Sequence, residues 1–306
     1  MAADITSEDL PVTSPLRIAV LGTGNIGSTF ASHLARVGGH NVTVIARPGS
    51  ARLRQLEQDA AIVHVGGQQA EVQVSGVLNE SVPYDLVIMT VLAHQIEALL
   101  PLLKRSRAEC FLFMSNNFHP ERLAEALGDD RCSFGMPFVQ AKLDAEGKLK
   151  ATIGAGGQKT LIGQQRWVNV FNAAGLPARL KPEMPLWLRS HVPLCVAFES
   201  VSVAAVRCGG GASWREAMIL ARGVHASFTL VERLGYPVYP RAKVLMKRSP
   251  AWVLAAGLSA MSRIRSFREL LATGEAECRT LVDVMVSTAL LAGPSVDASA
   301  IAAMKP

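Results

Sequence analysis

The sequence predicts an α/β domain with a parallel sheet, followed by an all-helical C-terminal domain. Three observations carry this reading. From Leu16 to about Leu180, short β-rich runs alternate with helical segments. A glycine-rich turn joins the first of those runs to the first helical segment. Beyond the three prolines of LPARLKPEMP, helical patterns continue to the end. Alternation of strands and helices is what a parallel sheet covered on both faces requires.

The elements follow in order. RIAVL, VTVIA, DLVIMTV and CFLFMS are rich in branched residues and bounded by polar or glycine-containing stretches, which predicts buried strands. Between them Asn25–Val37, Ala93–Leu103 and Pro120–Leu127 carry the helical period. AIVHVGGQQAEVQV reads as two strands joined by a Gly-Gly turn, a hairpin. SFGMPFVQ, GKLKATIG and KTLIG are expected to extend the sheet before a helix at Gln164–Ala174. The second half is expected to hold helices at Leu186–Val206, Ser213–Leu234, Arg241–Met246 and Phe267–Leu291. This divides the chain into a flexible tail (1–15), an α/β domain (16–180) and a helical domain (181–306). A ligand cleft is expected between the last two.

Composition excludes several classes. With 306 residues, 49% hydrophobic and 18% charged, the chain is long enough for two domains and apolar enough for a large core. The net charge of +6 suits an anionic ligand. The basic residues are scattered and aromatics are few, so no nucleic-acid surface is expected. The five cysteines, 110, 132, 195, 208 and 278, contain no CxxC pair and no metal-type spacing. They read as reduced thiols, with no metal site. The opening MAADITSEDLPVTSP has neither a basic nor an apolar signal region, and the apolar stretches 192–206 and 251–260 are too short or interrupted to span a bilayer. A soluble, cytoplasmic protein is expected.

The turn is Gly22-Thr23-Gly24-Asn25-Ile26-Gly27, directly after RIAVL and at the start of a helix. That context marks a Rossmann-type dinucleotide site. Gly22 permits the tight turn, Gly24 lets backbone approach a pyrophosphate, and Gly27 lets helix pack on strand. About twenty residues on, an NAD site carries an acid for the ribose 2′-hydroxyl. Here the second strand ends in Arg47, with no acid until Glu57 and with Arg52 and Arg54 close behind. A guanidinium pairs with phosphate, so NADPH is the expected cofactor.

Several segments together resemble the ketopantoate reductase family: the early glycine turn, TVIAR at the second strand, Thr90-Val-Leu-Ala-His-Gln95, Ser115-Asn-Asn-Phe-His-Pro-Glu-Arg-Leu123, Leu186-Trp-Leu-Arg-Ser-His191, and the helix containing Glu277. The resemblance implies an NADPH-dependent reductase in which Leu92 and Gln95 flank the cofactor and Asn116 lies near the nicotinamide or substrate. It places Glu277 at the substrate. The chain departs from the family where it matters for chemistry. Leu92 replaces a strand-end lysine and Arg189 the catalytic lysine. Pro193 and Ala197 replace two asparagines, and Arg265-Ser266 falls at the substrate-binding serine.

Lysine gives up a proton readily once its pKa is tuned; arginine does not. Arg189 is therefore expected to clamp a carboxylate and polarise a carbonyl, or else His191 supplies the acid. The two lie about 200° apart on a helix, so only one faces a given cleft. A structural role is the default for His191, and Pro193 is expected to kink that helix. Glu199, in the apolar run VPLCVAFESVSVAAV, is expected to pair with an arginine. His94 and His119 read as solvated loop residues, and Trp187 and Trp214 as core or interface anchors. The substrate is expected to be a small anionic carbonyl compound bound by Asn116, Arg265 and Ser266, and a homodimer is compatible with this reading. Two alternatives stay open: an imine- or opine-type reductase on the same fold, and an NADP(H)-binding regulator without turnover.

Overall fold

The computed structural model describes residues 14–272 and 274–306; most of the expected tail, 1–13, lies outside them. The chain divides into two compact units. One runs to Ser115 and resumes over Glu121–Met184; the other joins Asn116–Pro120 to Pro185–Pro306.

The first unit opens with β1 (Arg17–Leu21), α1 (Asn25–Arg36), β2 (Asn41–Ile45) and α2 (Ala51–Asp59). Next come the short strands β3 (Ala61–Val63), β4 (Gln69–Glu71) and β5 (Gln73–Ser75). They lead to β6 (Leu86–Met89), α3 (Ala93–Ile96), α4 (Leu100–Arg105), β7 (Phe111–Phe113) and α5 (Pro120–Leu127). The unit closes with β8 (Cys132–Met136), β9 (Val139–Leu143), β10 (Leu149–Ile153), β11 (Thr160–Ile162), α6 (Gln165–Ala173) and β12 (Ala178–Leu180).

Eight strands form one sheet in the order β12-β11-β8-β7-β6-β1-β2-β5. Ile18 registers with Val42 on one side and Leu86 on the other, which makes β1 a central strand buried on both faces. That double burial explains why residues 18–21 are apolar throughout, while Arg17 at the strand's start is exposed. The sheet is mixed rather than purely parallel, because β11 pairs antiparallel with β8. Phe30 of α1 and Phe171 of α6 meet edge to face at 5.1 Å in the core. Each aromatic buried this way contributes about 2–3 kcal/mol by area.

Four expectations need correction. The hairpin is β3–β4 alone, while β5 leaves it to join β2 in parallel. β9 and β10 form their own two-stranded sheet, because alternate residues stay exposed and only one face packs inward. The helix expected at Ala93–Leu103 is interrupted by a tight turn at Glu97–Leu99, before Pro101 opens α4. The stretch LPARLKPEMP, whose three prolines predict a linker between the domains, holds β12, a strand at the sheet edge.

The second unit is helical: α7 (Met184–Arg207), α8 (Trp214–Arg233), α9 (Arg241–Arg248), α10 (Ala251–Ser262), α11 (Arg265–Leu271), α12 (Glu275–Ala292) and α13 (Ala298–Ala302). α8 starts in a capping box. The Glu216 amide donates to Ser213 Oγ at 3.2 Å, and the Ser213 amide donates to Glu216 Oε2 at 2.7 Å. α7 continues through Pro193, so the proline does not end it. The helix expected over Phe267–Leu291 is two helices, parted at Gly274. There a Cβ would lie 2.4 Å from Glu199 Oε2, so the position beside that α7 carboxyl suits glycine.

Candidate functional site

The glycine turn of the first unit is shaped by close contacts at Gly22 and Gly27 that only glycine permits. Gly22 has φ +101°, and a Cβ there would meet Thr90 Oγ1 and Val91 at 3.0 Å. The Thr90 hydroxyl donates to the Gly22 carbonyl at 2.6 Å and pins the turn against the end of β6. Gly27 is more constrained still, since a Cβ would sit 1.9 Å from the Gly22 carbonyl oxygen. Gly24 differs from both. Its φ is −74°, which any residue adopts, and a Cβ there would have nothing within 4 Å. No protein atom requires glycine at 24. The vacancy lies at the N-terminus of α1, where helical geometry leaves amide donors without intrahelical partners. A flat cradle with exposed donors fits a pyrophosphate.

A groove of about 640 Å³ opens beside the turn, lined by Gly22, Thr23 and Gly24, by Arg47 and Ser50, and by apolar Val77, Leu78, Leu99 and Leu102. Arg47 is exposed at its wall. Gln95 lines the groove too, and its Oε1 accepts from the Leu92 amide at 3.1 Å. Leu92 itself is an exposed cap residue of α3.

Two nearby polar residues serve the fold. The Asn25 carbonyl Oδ1 accepts from the Leu143 amide at 3.0 Å and ties α1 to β9. Arg52, which sequence reading places among the phosphate-facing arginines, also lines the groove, but its guanidinium is already engaged by protein acceptors. Its guanidinium donates to the Thr23 carbonyl at 3.1 Å, the Gly147 carbonyl at 2.8 Å and Ser28 Oγ at 2.8 Å. Arg54 donates to the Gly49 carbonyl at 2.8 Å.

The second unit gathers two clusters around α7. In the first, Arg189 is 2% exposed and lays its guanidinium over the Tyr236 ring at 3.6 Å. His191 stacks on Trp187 with centroids 4.3 Å apart. Burial, and secondarily the Lys243 ammonium, push His191 down to about 3. Its imidazole is neutral at physiological pH and has no proton to give as an imidazolium. Lys243 of α9 is buried, donating to the Trp187 carbonyl at 3.2 Å with its ammonium 4.3 Å from the Trp187 ring centroid. Sequence reading missed Lys243, because one of two lysines in the basic stretch RAKVLMKR gives no sign of pointing inward.

The second cluster joins residues far apart in sequence. Asn116 Nδ2 donates to Glu277 Oε1 at 3.4 Å. Glu199 is 8% exposed, and its Oε1 accepts from Cys195 Sγ at 3.5 Å. Desolvation and then the Glu277 charge raise the Glu199 carboxyl to about 7. Among the described residues the arginine partner expected for Glu199 is not found; the Cys195 thiol donates to it instead. Arg265 and Ser266 are exposed at the start of α11. His119 is held rather than solvated, its Nε2 2.8 Å from Thr288 Oγ1. Trp187 is buried, whereas Trp214 is largely exposed.

Fold and turn together define a dinucleotide-binding α/β protein of Rossmann type with a helical C-terminal part. Residues 18–167 match the family model of ketopantoate reductase PanE/ApbA. The 2-dehydropantoate 2-reductase of Vibrio cholerae is 29% identical over 214 residues, 64% of this chain and 66% of the relative. The match thus spans just under two thirds of that protein's length. A PanE/ApbA family ketopantoate reductase from Ralstonia eutropha JMP134 shares the fold, with TM-score 0.71, 18% identity and coverage of 95% of this chain and 96% of that one. An NADP+-bound yersinopine dehydrogenase also shares it, with TM-score 0.72, 11% identity and coverage of 95% and 89%. No helix among the described residues is long and apolar enough to cross a membrane.

Proposed function

We infer that the protein is an NADPH-dependent reductase acting on a small carbonyl compound that bears a carboxylate. The observation that carries this is the pairing of an unfilled Gly24 cradle with Arg47, and with no acid, along one groove. The turn and the start of α1 would hold the pyrophosphate, and Arg47 the adenosine 2′-phosphate. Val77, Leu78, Leu99 and Leu102 offer apolar surface for the adenine. The bound dinucleotide supplies hydride. Asn116 and Glu277, already hydrogen-bonded, orient the substrate, while Arg189 supplies a fixed positive charge for a carboxylate or a polarised carbonyl. His191 receives no proton-transfer role, being neutral and stacked on Trp187. Arg265 and Ser266 stand as substrate contacts from the start of α11.

Arginine in place of lysine at 189 argues against ketopantoate itself and favours a second reading, an imine- or opine-type reductase, where a lysine acid matters less. The likeness to yersinopine dehydrogenase is compatible with it. The test is NADPH oxidation against a panel of 2-keto acids and of amine–carbonyl pairs, with NADPH and NADH binding measured by calorimetry. Turnover with 2-keto acids alone supports the first reading. Turnover that needs an amine supports the second. Tight NADPH binding without oxidation overturns both and leaves a nucleotide-binding regulator.

A further inference from the structure

The β9–β10 hairpin is fastened at both ends. Near its tip on the β10 side, Leu149 is buried in the core of the first unit, and its carbonyl accepts from the Val65 amide at 3.0 Å. The chain reverses through Asp144–Lys148, where the Lys148 amide donates to Asp144 Oδ1 at 2.7 Å. A two-stranded ribbon is marginal in water by itself, so its anchors fix where it lies. The anchors beside the reversal lead to the glycine turn. The Leu143 amide donates to Asn25 Oδ1 at 3.0 Å, and Asn25 is the first residue of α1. The Gly147 carbonyl accepts from Arg52 at 2.8 Å, and the same guanidinium holds the Thr23 carbonyl at 3.1 Å.

Gly147 is what lets the reversal come so near. It has φ +78°, and a Cβ there would lie 2.8 Å from Gln55 Oε1 and 3.0 Å from Arg52 Nη1. The consequence falls on Leu143. It pairs with Leu149 across the ribbon, is half-buried, and lines the groove together with Thr23 and Gly24. Leu143 belongs to a strand outside the main sheet and stands 118 residues from Asn25, so the hairpin alone delivers it to the groove.

We propose that the β9–β10 hairpin is a clasp on the dinucleotide groove, with Leu143 as the side chain that slows release of the bound nucleotide. The inference rests on the reading of that groove as the NADPH site and adds what retains the ligand there. Amides at the start of α1 hold an anion more strongly when water is kept away from them. Leu143 supplies the apolar cover, and Asn25 and Arg52 fasten the hairpin in place. Loss of the cover acts chiefly on dissociation, because association is governed by encounter and orientation.

The clasp is tested by stopped-flow displacement of NADPH from the full chain with excess NADP+, read by nucleotide fluorescence. Leu143→Ser is expected to raise the dissociation rate at least about tenfold, with association within about threefold of the parent. Leu143→Met keeps an apolar cover and is expected to release NADPH at the parental rate. Gly147→Ala leaves every residue lining the groove in place and disturbs only the fastening; it is expected to speed release in the same sense as Leu143→Ser. Amide hydrogen exchange across residues 140–148 is expected to slow when NADPH binds the parent, and to slow less in Gly147→Ala. Thermal unfolding of each variant reports on the fold. Parental release rates in both Leu143→Ser and Gly147→Ala overturn the clasp and leave the NADPH reading standing. Equal acceleration in Leu143→Met and Leu143→Ser also overturns it, since apolar cover would then not be what retains the ligand. A parent chain that binds neither NADPH nor NADH overturns the nucleotide reading, and the clasp with it.

Discussion

Asn116 and Glu277 stand 161 residues apart in sequence, and Asn116 Nδ2 donates to Glu277 Oε1 at 3.4 Å. Asn116 follows the end of β7, in the short segment Asn116–Pro120 that packs with the helical unit; Glu277 belongs to the first turn of α12. Family resemblance alone points to each of them as a site residue, and nothing in their spacing says that they meet. Their hydrogen bond is the best physical reason to treat them as one device. A partly buried carboxylate that accepts from an amide is held in direction as well as in charge. Asn116→Ala removes the donor and leaves Glu277 in place. The expected result is a fall in kcat of about tenfold to a hundredfold with NADPH affinity unchanged, since losing a hydrogen bond to a charged group costs about 1.5–3 kcal/mol. Steady-state kinetics beside calorimetry checks it. An unchanged kcat would remove Asn116 from the site.

Arg47 is exposed, so its replacement should leave the fold alone and touch only the ligand. Arg47→Ala is expected to weaken NADPH binding by about 1.5–3 kcal/mol while leaving NADH binding within a factor of about two. Calorimetry with both nucleotides decides. Equal losses for the two would mean that Arg47 does not read the 2′-phosphate.

Arg52 predicts the opposite. Its guanidinium reaches Thr23, Gly147 and Ser28, and so braces the glycine turn. Arg52→Ala strands those acceptors and is expected to cost about 2–3 kcal/mol of stability. Denaturant unfolding of the ligand-free protein measures this. A loss of nucleotide affinity with stability intact would return Arg52 to the phosphate site.

Much of the first unit is legible from sequence because its signals are local. Branched apolar runs mark β1, β2, β6 and β7, and the glycines of the turn sit where strand gives way to helix. What escapes reading depends on partners distant in the chain. α10, AWVLAAGLSAMS, is apolar on nearly every side and shows no helical stripe to read. The need for glycine at 274 comes from Glu199 occupying the space beside it, a contact between residues 75 positions apart. β9 and β10 alternate as sheet strands do, yet alternation does not say which sheet they join. At the site, the roles of Gly22, Gly24 and Gly27 follow from their order. The backbone contacts of Arg52, the burial of Lys243 and the thiol at Glu199 do not, because direction of a side chain is a tertiary property.

The buried carboxyl makes stability depend on pH. An ordinary glutamate titrates near 4.5, and Glu199 in the fold is raised to about 7. Below about 4.5 the group is protonated in both folded and unfolded chains and costs nothing. Between these values the unfolded chain releases a proton that the fold retains, so stability falls as pH rises. Above about 7 both states are ionised and the loss is complete, of order 3 kcal/mol. Other groups titrate as well, so the quantity to follow is the difference between parent and Glu199→Gln at each pH. That difference should be flat in acid and grow in favour of the glutamine variant through neutrality. Its slope should vanish above about pH 8. A difference independent of pH would mean that Glu199 is ionised in the fold.

The three glycines of the turn separate ligand from fold. At position 27 a methyl group would sit 1.9 Å from the Gly22 carbonyl oxygen, so Gly27→Ala must push α1 off β1 and is expected to cost about 3 kcal/mol. At position 24 the same methyl group meets nothing, and φ −74° is open to alanine. Removing glycine there even trims the freedom of the unfolded chain. Gly24→Ala should therefore unfold within about 2 °C of the parent, or slightly above it. Yet it would lift a pyrophosphate away from the amides of α1, and NADPH affinity is expected to fall at least about tenfold, or 1.4 kcal/mol. Thermal unfolding and nucleotide calorimetry on the two variants give four numbers that must follow this crossed pattern. If Gly24→Ala binds NADPH as well as the parent, the groove beside the turn is not where the dinucleotide lies.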